Sequence, residues 1–113
     1  MTLELGTDIV EIARVRALAR RQPGFLKRVF SKEEIAYCIG KKLQWQHFAV
    51  RFAAKEAVWK ALGQEGLALK DIAVWRDKQG RPGVMVCGKK QAGLKLSLSH
   101  SERYALAVAA RVK

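Results

Sequence analysis

The sequence predicts an α+β fold, with an antiparallel β-sheet packed against a long central helix and shorter N-terminal helices. Three observations predict it. Residues 43–62 carry apolar side chains at helical spacing on two sides of one helix, the mark of a central element. Residues 72–110 instead alternate apolar and polar positions between turn signals, as antiparallel strands do. A further alternating run opens the chain before any helical period begins.

In order, Leu3, Leu5, Thr7 and Ile9 share one face of the first strand, with Gly6, Asp8 and Val10 on the other. Gly6 beside Asp8 is expected to leave that carboxylate open to an approaching ligand. From Glu11 the period becomes helical: Ile12, Val15, Leu18 and Ala19 make an apolar stripe, Arg14, Arg16, Arg20 and Arg21 lie on other sides, and Gln22-Pro23-Gly24 ends the helix. A short helical segment at 25–30 follows. Ser31 and Glu34 then form a capping-box pattern for a helix that stops at Gly40. Lys41 and Lys42 lie in the next turn. The long helix from about Leu43 to Leu62 places Ala53, Ala54, Ala57, Val58 and Ala61 on one apolar face and Phe52 and Trp59 on another, and Gly63 stops it. Ile72–Trp75, Val84–Cys87, Leu94–Leu98 and Tyr104–Ala110 are the predicted later strands, with a loop or single helical turn at 88–93.

The 113 residues suit one domain, 1–113. No stretch reaches the ~18 consecutive apolar residues of a membrane span and the N-terminus lacks a signal-peptide build, so a cytoplasmic location and no membrane partner are expected. The two cysteines, Cys38 and Cys87, have neither zinc-site nor disulfide-framework spacing and both read as buried thiols. Lys and Arg outnumber Asp and Glu by 22 to 10, a formal charge of +12 that attracts anionic partners without choosing among them. No nucleic-acid recognition motif accompanies it, and the aromatics lie on a helix face rather than a stacking strand, so no nucleic-acid partner is expected.

Four features carry chemistry: Asp8, the Glu56 and Lys60 pair one helical turn apart, His100 in Ser-Leu-Ser-His-Ser, and the basic residues. Glu56 and Lys60 read alone as an ordinary (i, i+4) ion pair. Ser99 beside His100 does not make a hydrolase, because neighbours on an extended segment point to opposite faces and no GxSxG is present. Asp8 and Glu56 offer the hard oxygens that Mg²⁺ takes, one or two carboxylates completed by water and substrate phosphates.

GTDIVEI, RFAAKEAVWKALG and SLSHSERYALAVA, in this order and at these separations, resemble the holo-acyl-carrier-protein synthases of the phosphopantetheinyl transferase superfamily over nearly the whole chain. The resemblance implies that superfamily's fold. It also implies transfer of 4'-phosphopantetheine from coenzyme A to a serine of an acidic apo acyl carrier protein, dependent on Mg²⁺, releasing adenosine 3',5'-bisphosphate in support of fatty acid biosynthesis. Carried over, it makes Asp8 and Glu56 metal ligands and Glu56 and Lys60 the catalytic pair. Glu56 then accepts the serine proton, directly or through a water. Arg51, Lys55, Lys60 and His100 are assigned to coenzyme A, with Lys41, Lys42 and Pro82 beside them. Arg14 and Arg21, extended by Arg20, Lys27 and Arg28, are assigned to the carrier protein. A homotrimer with active sites between subunits is implied, His100 serving a neighbour's site. The chain departs from the pattern in a short connection, Gln64–Leu67, a compact stretch at 84–94, and Gly24 where an arginine is common.

Overall fold

The structure, a computed structural model, describes residues 1–63 and 66–113; Gln64 and Glu65, at the start of the short connection noted above, lie outside the described residues. The chain forms β1 (Leu3–Glu11), α1 (Ile12–Arg21), α2 (Phe25–Val29), α3 (Lys32–Cys38), α4 (Gln44–Ala61), a 3₁₀ turn (Leu69–Asp71), β2 (Ile72–Arg76), β3 (Pro82–Val86), β4 (Lys89–Lys90), β5 (Leu94–His100) and β6 (Tyr104–Val112). The α+β class and the long central helix are as expected. The single sheet is not: the strands divide into two antiparallel three-stranded sheets, β1–β6–β5 and β2–β3–β4. Alternation reports which face of a strand is buried but not which strands share a ladder, and β3 packs near β5 without hydrogen-bonding to it.

Two further expectations change. The 88–93 stretch contains β4 rather than a helical turn, and Cys87 is exposed. Both follow from the tight β3–β4 turn, in which Cys87 (φ 50°) and Gly88 (φ 82°) both take the left-handed conformation and Cys87 is carried to the tip. Cys38 is buried as expected, and burial pushes its thiol up to about 11.

The core lies between α4 and the first sheet. Ala53, Ala54, Ala57 and Val58 of α4 are fully buried, as are Ala105, Ala107 and Ala109 of β6. Gly6 pairs with Ala109 in the ladder. A Cβ built on Gly6 would run into the carbonyl of Ala57 and come within 2.8 Å of the Ala61 amide nitrogen. Gly6 therefore lets β1 lie directly against the helix backbone, the role of a glycine at a close approach. Phe48 and Phe30, both fully buried, close the other side of α4 with ring centroids 5.1 Å apart.

The opposite face of β1 and β6 is apolar and uncovered in the single chain: Leu5 and Ile9 are 61% and 62% exposed, with Leu106 and Val108 beside them.

Below α4, Glu34 joins three elements, α3, α4 and β2. Its Oε1 accepts from the Ser31 amide (2.9 Å), completing the α3 capping box, and pairs with Lys55 Nζ at 2.7 Å; its Oε2 accepts from the Val74 amide of β2 (3.0 Å). Lys55, fully buried, also donates to the carbonyls of Leu69 (3.2 Å) and Ile72. A buried cation with this many oxygens around it is satisfied in place.

Candidate active site

Because side chains two apart on a strand share a face, the contact made by Gly6 also aims Asp8 at α4. There it meets the turn that carries Glu56 and Lys60. Asp8 and Glu56 line one cavity of about 240 Å³, together with Arg14 and Leu18 of α1 and Phe52 of α4. Lys60 Nζ stands 3.7 Å from Asp8 Oδ1 and donates to the Thr7 carbonyl at 3.0 Å. Lys60 is thus paired with Asp8 on the neighbouring strand, and the (i, i+4) ion pair with Glu56 that the spacing suggested does not form. The strand brings an aspartate closer to the ammonium than the helix brings its own glutamate.

The electrostatics are those of two crowded carboxylates. Burial raises the Asp8 carboxyl above its ordinary value, and Lys60 opposes the rise. Burial also raises Glu56; the nearby Asp8 adds to the rise and Lys60 again opposes it. Among the described residues no three His, Cys, Asp or Glu side chains gather as a metal cluster. Two partly desolvated, mutually repelling carboxylates at an open cavity still fit a hard divalent cation that takes its other ligands from water and a phosphate.

A second group of residues lies on another side of α4. Arg51 is buried with its guanidinium 4.2 Å from the Tyr37 ring centroid, and Lys41 Nζ lies 4.5 Å from the same ring. The Arg51 Nε is buried without a hydrogen-bond partner. Arg51 and Tyr37 line a larger cavity of about 610 Å³ with Glu34, Trp75, Arg76 and Cys87. His100, exposed at the end of β5, meets Gln46 of α4 through ring Nε2 and amide Nε2, 3.3 Å apart.

The structure thus brings Asp8, Glu56, Lys60 and Arg14 together, groups Lys41 with Arg51 at the Tyr37 ring, and sets His100 against Gln46. Lys42 is exposed in its turn, and Pro82 starts β3 opposite Arg76, outside both cavities. Lys55 corrects an expectation: with its ammonium buried against Glu34 it has no surface to offer a coenzyme A phosphate. The family resemblance assigned Lys55 to coenzyme A, yet successive helical residues point ~100° apart, and beside Glu56 Lys55 falls on the core side. Arg20 and Arg21 are exposed on the last turn of α1, where they complement the helix dipole. Arg28 folds back, donating to the Pro23 carbonyl (3.4 Å) and Gln22 Oε1 (3.3 Å), and so braces the α1–α2 link. Sequence reasoning missed Glu34 as the partner of Lys55, although its capping role was visible. It also missed Phe52 and Leu18 as walls of the carboxylate cavity.

Residues 4–109 match the family model described as the 4'-phosphopantetheinyl transferase superfamily, and the chain belongs to that superfamily. The holo-[acyl-carrier-protein] synthase of Caldanaerobacter subterraneus subsp. tengcongensis is 37% identical, the alignment covering 99% of this chain and 96% of the relative. That of Protochlamydia amoebophila is 41% identical over 96% of this chain and 97% of its own. The crystal structure of the Bacillus anthracis holo-(acyl-carrier-protein) synthase in complex with CoA (3',5'-ADP) superposes with a TM-score of 0.81 at 30% identity, covering 96% of this chain and 94% of that one. Within the superfamily, this chain is an enzyme of the holo-[acyl-carrier-protein] synthase family.

Proposed function

We propose that the enzyme moves the 4'-phosphopantetheine arm of coenzyme A onto a serine of an apo acyl carrier protein, with Mg²⁺ held by Asp8 and Glu56. The bond that forms joins the serine oxygen to the phosphorus of the arm; the bond that breaks joins that phosphorus to adenosine 3',5'-bisphosphate, which leaves. The serine proton passes to Glu56, whose raised affinity for protons suits a general base. Lys60, poised at Asp8 and only half-exposed, offers its charge to the departing phosphate. When bound, the cation supplies charge neutralisation for the pyrophosphate, which is most of what phosphoryl transfer requires of an enzyme. The surrounding protein positions the reactants.

The observation that carries this reading is the shared cavity of Asp8, Glu56 and Arg14. It sets a cation from the basic helix α1 at the mouth of the carboxylate site. An acidic carrier protein docked on Arg14 and Arg21 would deliver its serine there. Lys41, Arg51 and His100 support binding of coenzyme A phosphates. The exposed apolar face of β1 and β6 supports a homotrimer.

The test is direct. Incubated with Mg²⁺, coenzyme A and an apo carrier protein, the enzyme should raise the carrier's mass by one phosphopantetheine arm. Glu56→Gln should leave the far-UV circular dichroism unchanged and give no mass gain. Near-wild-type turnover by that variant would sink the assignment of Glu56.

A further inference from the structure

The cluster around Tyr37 contains a titratable ring that the proposed reaction leaves without a task. His47 lies on α4 one turn before Arg51, half-buried, with its ring edge-on to Tyr37 and centroids 5.8 Å apart. The groups whose positive charge disfavours protonation of this ring come from four elements: Arg51 on α4 itself, Lys41 in the turn after α3, Arg76 on β2 and His100 on β5. Tyr37, on α3, contributes a ring that already receives Lys41 and Arg51. Among the described residues, none of Lys41, Arg51 and Arg76 has a carboxylate in an ion pair, and the Arg51 Nε is buried without an acceptor.

Such a cluster is unfavourable alone. Like charges gathered on one ring repel, the Tyr37 face offsets part of that repulsion, and an anion placed among them would offset the rest. Burial, followed by Arg51 and the other neighbouring cations, keeps the free His47 ring below the ordinary histidine value, so near neutral pH it is uncharged. A dianion in the cluster reverses that balance.

We infer that His47 is a proton-linked contact for the phosphate monoester of coenzyme A. The inference rests on the coenzyme A reading above. The monoester fits this cluster because the pyrophosphate of the same molecule is assigned to Asp8, Glu56 and Lys60, on a different side of α4. It is also the group that brings close to two negative charges to one point. Binding then transfers one proton from solvent to the His47 ring, and no other bond changes.

The sign of the effect isolates the protein's part. As pH falls, the monoester itself gains a proton and loses charge, which weakens binding. Tighter binding at lower pH therefore comes from a protein group. Calorimetric titration of coenzyme A into the wild-type enzyme should show affinity rising by about tenfold from about pH 8 to about pH 6, the equivalent of one unit of pKa displacement. Repeating it in two buffers of different ionisation heat should show net proton uptake. In His47→Gln and in His47→Phe, each checked for cooperative melting, the pH dependence and the uptake should vanish. With dephospho-coenzyme A and wild-type enzyme they should vanish too. Uptake that survives both His47 variants, or that disappears only in His100→Gln, overturns the inference, as does uptake with dephospho-coenzyme A. Coenzyme A failing to bind the wild-type enzyme at either pH would instead overturn the functional reading, and this inference with it.

Discussion

Lys60 and Asp8 face each other across the seam between α4 and β1, with the ammonium 3.7 Å from a carboxylate oxygen and hydrogen-bonded to the Thr7 carbonyl beside it. The contact opposes the rise that burial imposes on Asp8, and Lys60 does the same for Glu56. Removing the ammonium leaves the two carboxylates with only each other. In Lys60→Gln the proton affinity of both should rise further. Transfer needs the ionised carboxylates, so the acidic limb of the kcat/KM profile should move to higher pH, alongside a fall in rate of about 10²-fold. An acidic limb that stays in place would show that Lys60 does not govern their ionisation.

Gly6 permits the seam itself. In Gly6→Ala the new methyl would meet the Ala57 carbonyl and the Ala61 amide, backbone atoms that cannot swing aside. Overpacking of this kind costs about 1–3 kcal/mol. A urea melt should show that loss. Because the displaced strand carries Asp8, kcat should fall as well. A variant as stable and active as wild type would mean that β1 and α4 separate freely.

Glu34→Gln keeps an acceptor for the capping amide but removes the counter-charge of Lys55. Leaving a buried ammonium unpaired costs about 3–5 kcal/mol, whereas exchanging both partners for apolar residues of similar volume costs far less. Denaturation of Glu34→Gln should therefore show a large loss, and Glu34→Leu combined with Lys55→Met should recover only part of it, because the Ser31 and Val74 amides and the Leu69 and Ile72 carbonyls lose their partners. Coenzyme A affinity per folded molecule should change little in the double variant, since Lys55 is enclosed. A selective loss of coenzyme A binding there would return Lys55 to the ligand site.

Arg14 sits where the basic helix meets the carboxylate cavity. Arg14→Ala should raise KM for the carrier protein by about tenfold at low salt, with the difference shrinking as salt screens the interaction. KM for coenzyme A should move less. An unchanged carrier KM at low salt would remove Arg14 from the docking surface.

Much of this was readable in the sequence. The helical period of residues 43–62 located α4 to within a residue or two, and Ser31 and Glu34 announced their capping box before any coordinates. The three ordered motifs named the family. What the sequence did not disclose was pairing in space. Lys60 had a carboxylate one turn away on its own helix, yet its partner is Asp8 on β1, because the Gly6 contact brings the strand within reach. Lys55 was assigned to coenzyme A by resemblance, but the oxygens around it come from Glu34, Leu69 and Ile72, which only the tertiary fold assembles. Cys87 looked like a core thiol until the tight turn carried it to the surface.

Lys55 and Glu56 are neighbours in sequence with opposite destinations, one sealed in the core and one opening on the cavity it shares with Asp8. The pitch of α4 is thus a shared setting for stability and for the proposed chemistry. Inserting or deleting a single residue between Arg51 and Lys55 would rotate everything downstream by ~100° and displace the buried cation and the cavity carboxylate together. The length of this stretch is therefore constrained by both residues at once.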